Sequence, residues 1–234
     1  MLTRLEEAFD RERSFTSDAA HELRTPLAGA RAAFEVALSR SREAPEYAET
    51  IRDGLAVILQ MQGMVESLLT LARLDTRQVA VDRQEVDLTQ LARSCWAELA
   101  GRADDRRLRL EDRLPDRLVV STDRPCLLLA LRNLLDNAVT YADAGGLVRL
   151  EAQADQTGVE LTIANTGCAL APTNLPRVFD PFWRGDAARS DTGQHWGLGL
   201  SLVQRALAAV GGTAVATIEP PATFTVRVRL GPCP

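Results

Sequence analysis

Apolar or small residues recur every three to four positions in two long runs near the start of the chain, and this periodicity constrains the fold most strongly. The first run contains Leu2, Leu5, Phe9, Thr16, Ala19, Leu23, Ala30, Phe34 and Ala37, and the second contains Ile51, Leu55, Ile58, Val65, Leu69 and Ala72. Such spacing places these residues on one face of an α-helix. The polar segment SRSREAPEY (39–47) separates the runs, and Pro45 suits the first turn of a new helix. The pattern predicts an antiparallel helical hairpin over residues 1–75.

An isolated hairpin of this kind cannot bury the apolar stripes of both of its helices. A second copy of the chain can cover them, because two hairpins pack into a four-helix bundle with the stripes inside. We therefore expect the chain to form a homodimer through residues 1–75.

Charge and cysteine content narrow the classes of partner. The formal net charge is −5 for 234 residues, which gives no overall attraction to nucleic acid or to an anionic membrane surface. No apolar run approaches the roughly 18 residues of a membrane-spanning helix. The four cysteines, Cys95, Cys126, Cys168 and Cys233, are widely spaced, which favours free thiols in a reducing compartment. We expect a cytoplasmic chain with no nucleic-acid partner and no direct membrane contact.

The pattern changes after a linker predicted over residues 76–87. Residues 86–101 predict a helix with Asp87 as its N-cap and Gly101 at its end. Further helices are predicted at 126–142 and 198–212, and strands at 117–122, 147–153, 158–165 and 223–230. Residues 88–234 therefore predict an α/β sandwich, and the whole chain belongs to the α+β class.

The segment SFTSDAAHELRTPLAG (14–29) contains a histidine in an unusual position. At 100° per residue, His21 lies roughly 200° around the helix from the apolar residues two positions before and after it, so it should face solvent. Pro26 has no N–H for the carbonyl of Glu22, which predicts a bend just after the histidine. Glu22 can hold the proton on one ring nitrogen and leave the other as a nucleophile. An exposed histidine without a role, beside an incidental kink, is the alternative.

The string FTSDAAHELRTPL (15–27) closely resembles the H box of the sensor histidine kinases of bacterial two-component systems. The resemblance implies that His21 is the phosphoacceptor and that Glu22 is its acid/base partner. It also implies that Thr25 helps to place a water for the reverse, phosphatase reaction. The expected partner is the receiver domain of a response regulator.

Four stretches of the second half resemble the GHKL-type ATP-binding domain shared by histidine kinases, gyrases and mismatch-repair ATPases. LRNLLDNAVTYA (131–142) resembles the N box, with Asn133 and Asn137 one helical turn apart on the same side. The resemblance implies that Asn137 binds Mg²⁺, that Asn133 contacts a phosphate or a metal-bound water, and that Tyr141 belongs to the ATP site. Thr140 stands where this family often has a phosphate-binding lysine, so one cationic contact is expected to be missing.

IANTGCAL (163–170) resembles the first glycine box. The resemblance implies that Asn165, in place of the usual aspartate, accepts a hydrogen bond from the adenine amino group, with Gly167 beside it. A neutral amide oxygen is a weaker acceptor than a carboxylate, so we expect adenine binding to be weakened and not lost. Ala169 replaces the usual second glycine.

VFDPFWRGD (178–186) resembles the F box, whose aromatic residues anchor the ATP lid. The resemblance assigns Phe179 and Phe182 to the ATP site, although plain core packing explains such aromatic residues nearly as well. Arg184 or Arg189 is expected to supply positive charge from the lid.

GQHWGLGLSLVQ (193–204) resembles the second glycine box. Its residues Gly197, Leu198, Gly199 and Leu200 would bring the backbone close to phosphates at the start of a helix, where free N–H groups favour anions. His195 is expected to be a lid residue and not a second phosphoacceptor.

Together these resemblances imply an ATP- and Mg²⁺-dependent histidine autokinase that passes the phosphoryl group to an aspartate of a response regulator and also acts as a phosphatase of that regulator. Two alternatives stay open: a dimeric regulatory scaffold that binds nucleotide but is weakly catalytic, and an ATPase of the gyrase or mismatch-repair kind. The opening helix (1–13) resembles the exit of a signal-transmitting linker. We expect the chain to be the cytoplasmic portion of a longer inner-membrane protein.

Overall fold

The structure, a computed structural model, describes residues 2–76, 80–185 and 196–231, with side chains from residue 14 onward. Helices α1 (Leu2–Leu38) and α2 (Ala44–Asp75) form the predicted hairpin. Glu43 and Glu46 cap the start of α2 reciprocally, and Pro45 lies in its first turn. Phe34 of α1 packs directly on Gly54 of α2, where no side chain would fit.

Helix α2 presents three different faces, as follows from 100° of rotation per residue. One face contains the buried residues Gly54, Met64 and Leu71. Gly54 meets Phe34 of α1, and Met64 and Leu71 belong to an apolar cluster that also includes residues of the second domain. The second face is an exposed apolar stripe, formed by Ile51, Leu55, Ile58, Val65 and Leu69. The third face points to the second domain and contains Leu59, Gln60, Gly63 and Ser67. The exposed stripe is the surface that a second copy would cover in the predicted four-helix bundle.

Helix α2 departs from the expectation that no segment is long and apolar enough to cross a membrane. Among the described residues, it is the one helix that passes this test by length and composition, with a mean hydropathy of 1.5 in its best window. Apolar contacts with α1 and with the second domain, together with the exposed stripe, account for this composition.

The second part of the chain forms the predicted α/β sandwich. Its strands are β1 (Arg83–Asp87), β2 (Arg109–Arg113), β3 (Val119–Asp123), β4 (Leu147–Asp155), β5 (Gly158–Thr166), β6 (Thr213–Glu219) and β7 (Thr223–Leu230), and its helices are α3 (Leu88–Asp105), α4 (Arg124–Tyr141) and α5 (Gly199–Ala209). A five-stranded sheet has the order β2-β4-β5-β7-β6, with β2 parallel to β4 and the other pairs antiparallel. Strands β1 and β3 form a separate antiparallel pair.

The core of this domain lies between the large sheet and the three helices. It contains fully buried leucines of α4, among them Leu131 and Leu135, together with Val148 and Leu150 of β4 and Leu207 of α5. The end of the sheet where β5 stops and β7 starts is left uncovered, beside the start of α5 and the end of α4. We call this end the open edge of the sandwich, and the site described below lies there.

Several elements differ from the sequence prediction. Strands β2 and β6 were not predicted. Residues 83–87 form β1, although they were predicted to lie in the linker, and Val86 of this strand is buried in the domain core. Helix α3 begins at the predicted N-cap, where Asp87 accepts a hydrogen bond from the N–H of Gln90 at 3.0 Å. It continues through Gly101 to Asp105, so the glycine does not end it.

The hairpin docks on the second domain through a small apolar cluster. Its buried members are Met64 and Leu71 of α2 with Leu198 and Leu202 of the second domain. At one end of the cluster the rings of Phe15 and Phe182 lie 5.5 Å apart. An ion pair between Asp75 and Arg205 joins the end of α2 to α5. The third face of α2 is thereby held against the open edge of the sandwich.

Candidate functional site

His21 is exposed on α1, as predicted, whereas its neighbours Ala19 and Leu23 are partly covered. The hydroxyl of Thr25 donates a hydrogen bond to the carbonyl of His21 at 3.4 Å. Helix α1 continues through Pro26 to its end, so the proline does not interrupt it. The imidazole is therefore presented to solvent from a continuous helix.

The register of the hairpin places His21 close to the level of the second domain's open edge. Phe34 lies against Gly54, and the two helices run in opposite directions. Thirteen residues before Phe34 is His21, and thirteen residues after Gly54 is Ser67, so the two lie at about the same height along the hairpin. Ser67 belongs to the face of α2 that meets the second domain.

A large cavity lies between α2 and the open edge of the sandwich, with a volume of about 740 Å³. Ten of the residues predicted to bind ATP line it: Asn133, Asn137, Tyr141, Asn165, Gly167, Arg184, Gly197, Leu198, Gly199 and Leu200. The volume lies within the range of cavities that hold small-molecule ligands and cofactors. The motifs that were separate in the sequence thus meet around one cavity.

Helix α4 supplies the amide wall of this cavity. Its start is capped by Asp123, which accepts a hydrogen bond from the N–H of Cys126 at 2.9 Å. The Nδ2 of Asn133 donates to the carbonyl of Leu129 at 2.8 Å, so the Oδ1 of this amide is turned the other way. That oxygen lies beside Gly199, at whose position a Cβ would be 3.1 Å from it. The amide oxygen therefore faces the first turn of α5.

The end of β5 forms the floor of the cavity. Asn165 is buried, and its Nδ2 donates to the carbonyl of Thr166 at 3.1 Å. Because a carbonyl can only accept, this contact fixes the amide orientation and leaves Oδ1 as an acceptor on the other side. Gly167 has a φ of 84°, and a Cβ there would be 2.5 Å from the backbone nitrogen of Asp143. Only glycine fits this approach.

The start of α5 is tied to the segment that precedes it. The N–H of Phe182 donates to the carbonyl of Gly197 at 3.0 Å, and both residues have positive φ angles, 62° and 71°. A Cβ at Gly197 would lie 2.7 Å from the carbonyl oxygen of Trp183. No side chain caps α5 within the described residues, so its first N–H groups face the cavity and favour an anion.

Several predicted residues lie elsewhere in the described part of the chain. Phe182 packs against Phe15 of the hairpin and does not line the cavity. Phe179 packs on the domain core, and His21 also lies outside the cavity wall. Arg189 and His195 lie outside the described residues.

The cavity also contains residues that the motifs did not predict. Asp136 and Asp143 bring two carboxylates to its wall, and Arg106 brings a guanidinium whose Nη2 donates to the carbonyl of Ala142 at 2.5 Å. Asp136 follows Asn133 by three residues on the same helix, so helical spacing could have placed it. No sequence pattern indicated that residues of α2 would line the cavity, because this depends on how the hairpin packs against the second domain.

The three cysteines in the described residues are free thiols. Cys168 is half-buried and lines the cavity. Burial and the nearby Asp123 raise the pKa of the Cys126 thiol to about 11, and burial also raises the pKa of Cys95. Cys168 is therefore the thiol that reports on the cavity.

Two family models match the chain. The His Kinase A (phospho-acceptor) domain matches residues 11–77. The histidine kinase-, DNA gyrase B- and HSP90-like ATPase matches residues 122–232. The first match covers the hairpin, including the wall that α2 contributes to the cavity, and the second covers α4, α5 and the strands on the opposite side.

Curated sensor kinases are similar in sequence to almost the whole of this chain. Sensor histidine kinase CusS of Escherichia coli O6:H1 is 33% identical over 219 residues, which is 94% of this chain and 45% of CusS. Sensor protein CzcS of Cupriavidus metallidurans is 33% identical over 232 residues, which is 98% of this chain and 48% of CzcS. The chain spans about half the length of these curated relatives.

The structure of the Acinetobacter baumannii histidine kinase AdeS has the same fold. It superposes with a TM-score of 0.72 at 21% identity, covering 90% of this chain and 97% of that chain. The predicted family and fold are thus confirmed, and this chain belongs to the sensor histidine kinases of bacterial two-component systems, with a phosphoacceptor hairpin followed by a GHKL-type ATP-binding domain.

Proposed function

We propose that this chain is an ATP-dependent histidine autokinase. A ring nitrogen of His21 attacks the γ-phosphorus of ATP in line, the bond from that phosphorus to the bridging oxygen breaks, and ADP leaves. The phosphoryl group then passes from the histidine to a carboxylate oxygen of an aspartate on a response regulator receiver domain. One observation carries the proposal: an exposed histidine stands at the height of a cavity lined by the predicted nucleotide-binding residues.

We assign the adenine to the floor of the cavity. The Oδ1 of Asn165 is oriented to accept a hydrogen bond from the exocyclic amino group, because Nδ2 is engaged by Thr166. Gly167 and Tyr141 line the same cavity. This arrangement supports recognition of an adenine through a neutral acceptor.

We assign the phosphates to the start of α5 and the lid side of the cavity. The N–H groups of the first turn, at Leu198, Gly199 and Leu200, have no side-chain cap among the described residues and carry the positive end of the helix dipole. Arg184 lines the same region and can add a full positive charge. Backbone N–H groups fixed in this way stabilise negative charge without reorganisation during transfer.

The donor set also fits Mg²⁺, which prefers hard oxygen ligands and keeps several waters. Asn137 would bind the ion through its amide oxygen, and the Oδ1 of Asn133, turned toward Gly199, would contact a phosphate or a metal-bound water. When bound, the ion neutralises charge on the phosphates as the terminal group is transferred.

Glu22 and Thr25 complete the proposed chemistry on α1. Glu22 holds the N–H of one imidazole nitrogen, which leaves the other as the nucleophile. The hydroxyl of Thr25 bonds to the backbone of His21 in this structure, so it must change rotamer to position a water for dephosphorylation of the regulator. The chain would then act both as a kinase and as a phosphatase of its regulator.

We further propose domain limits of 1–75 for the hairpin, 76–82 for the linker and 83–234 for the ATP-binding domain. The pairing of β1 with β3 and the burial of Val86 support moving the start from 88 to 83. The exposed stripe on α2 supports a homodimer through the hairpin. The curated relatives, about twice as long, support placing this chain in the cytoplasmic portion of an inner-membrane protein.

A scaffold that binds nucleotide poorly is the less favoured alternative. The substitutions at Asn165, Ala169 and Thr140 point toward it, but Asn165 keeps an acceptor oxygen directed away from Thr166. An ATPase of the gyrase or mismatch-repair kind would not need the match to the phosphoacceptor domain over residues 11–77.

The test is transfer of label from γ-labelled ATP with Mg²⁺. We expect the chain to acquire an acid-labile label that His21→Ala abolishes. The other histidine of the chain provides the control, since His195→Ala should still acquire label. Label that survives His21→Ala would disprove the assignment of the phosphoacceptor, and an unlabelled wild-type chain would favour the scaffold.

A further inference from the structure

A carboxylate lies in the wall of the proposed phosphate-binding region. Asp136 lines the cavity on the same helix as Asn133 and Asn137. A carboxylate close to a triphosphate repels it, and the repulsion is strongest where solvent screening is weakest. The cavity can hold a polyphosphate well only if this charge is neutralised.

Arg102 on α3 neutralises this charge from outside the predicted motifs. Its Nη1 lies 2.5 Å from Oδ1 of Asp136, and its Nη2 donates to Oγ1 of Thr140 at 3.0 Å. Asp136 and Thr140 are one helical turn apart, so the planar guanidinium spans that turn and is held in one orientation. Both of its partners line the cavity.

Arg102 is not itself among the described residues that line the cavity, but it lies directly behind two residues that do. The Arg102 side chain is 45% exposed, and its two contacts use two of the five N–H donors of a guanidinium. Thr140 itself brings no charge to the cavity. Among the described residues, a cation that contacts Thr140 comes from α3.

We propose that Arg102 binds the phosphates of the nucleotide, held in place by Asp136 and Thr140. This rests on the proposed function, since it requires a nucleoside di- or triphosphate in the cavity. Thr140 carries no charge, and the positive charge beside it comes from Arg102, which lies 38 positions earlier in the chain.

The competing explanation is that Arg102 has a purely structural role, in which its ion pair with Asp136 holds α3 against α4. The chain offers a matched control, because Arg132 of α4 and Glu98 of α3 also form an ion pair between these helices, at 2.8 Å. The difference lies in the partners, because Asp136 and Thr140 line the cavity, whereas Glu98 is not among the described residues that line it. Removing the Arg132–Glu98 ion pair therefore measures the effect of losing a structural contact between α3 and α4, without a change near the cavity.

The experiment measures the affinities for Mg²⁺-ATP and for adenosine by calorimetry in the full chain, with His21→Ala as background so that no phosphoryl transfer occurs. We expect Arg102→Gln to weaken ATP binding by about two- to fivefold, as for a partly exposed charged contact, with adenosine affinity unchanged. Arg132→Gln should leave both affinities unchanged. Adding Thr140→Lys to Arg102→Gln should restore ATP affinity, because it returns a cation to that place.

Each other result overturns the inference in a recognisable way. Equal loss of ATP and adenosine affinity in Arg102→Gln, or equal effects of the two arginine variants, would mean a fastening role. Unchanged ATP affinity in Arg102→Gln, or no recovery with Thr140→Lys, would exclude a phosphate contact. A background chain that binds neither ligand would reject the proposed function itself.

Discussion

The hairpin and the ATP-binding domain differ in how completely they bury their apolar residues. The hairpin contributes few members to the buried core, and its exposed apolar side chains include Leu27, Val36, Leu38, Ile51, Leu55, Ile58, Leu59, Val65 and Leu69. The ATP-binding domain buries leucines of α4 completely and closes a continuous core around them. The ATP-binding domain therefore has a closed core of its own, whereas the exposed side chains of the hairpin are those that the proposed dimer would cover.

This difference also divides the chemistry. The residues that would recognise ATP lie on strands and helices that are fixed by a closed core, which suits a site that must keep its shape. His21, the proposed phosphoacceptor, lies on an exposed helix surface, where a nucleotide and then a regulator could reach it in turn. A nucleophile with two successive partners needs access more than it needs a pocket.

The largest expected effect concerns the closed core. Leu135 is fully buried on α4, so Leu135→Ala should lower the free energy of unfolding of the ATP-binding domain by about 2–5 kcal/mol. Leu69→Ala, on the exposed stripe of α2, should leave that unfolding transition unchanged. Urea denaturation followed by tryptophan fluorescence measures both. Similar losses in the two variants would break the contrast between the regions.

The next largest effect tests the proposed nucleotide site separately from the hairpin that carries the proposed phosphoacceptor. Asn137→Ala should slow autophosphorylation by about a hundredfold, as for loss of one group that stabilises transferring charge. The mass of the dimer in light scattering should not change, because Asn137 lies in the cavity and not on the stripe. A rate within about twofold of wild type would remove Asn137 from the proposed site.

A further prediction tests whether the exposed apolar stripe of α2 forms the dimer interface, by placing a charge within it. Ile58→Glu should weaken dimerisation by at least about tenfold, since the apolar burial of two isoleucine side chains is lost in the bundle. Arg52→Glu is the control, because Arg52 is exposed on the same helix about 100° from the centre of the stripe. Dimerisation that is equally sensitive to both changes would place the interface elsewhere.

The smallest effect sharpens the description of the cavity. In a Cys233→Ser background at pH 8, Cys168 should react first with a thiol reagent, and ATP at ten times its Kd should slow this reaction by up to about tenfold. The raised pKa of Cys126, about 11, leaves about one thiolate in a thousand at that pH. Raising the pH toward 11 should therefore favour its reaction. Protection of Cys126 but not of Cys168 would contradict the proposed cavity.

The sequence predicted best the elements that have one strongly apolar face. Strands β4, β5 and β7 pair with one another inside the sheet, and their apolar residues lie in the core. Strands β2 and β6 were missed because they are the edges of the sheet. Strand β2, with the sequence RLEDR, carries mostly charged side chains. Strand β1 was missed because Val86 is its one buried residue.

The site was predictable wherever a motif lies on a single element. Asn133 and Asn137 share one face of α4, so their meeting at the cavity followed from helical spacing alone. The contact between Phe182 and Phe15 could not be predicted, because it joins segments that are distant in sequence. The same holds for Arg102, whose role depends on the packing of α3 against α4.

The three faces of α2 have a consequence for chimeric kinases. A hairpin grafted from another family member would bring its own residues to the positions of Leu59, Gly63 and Ser67, which line the proposed nucleotide cavity of this chain. The hairpin and the ATP-binding domain are therefore not interchangeable modules, even though each has its own motif. A fusion joint in residues 76–82 would mix two halves of one cavity, whereas exchange of both parts together would keep it intact.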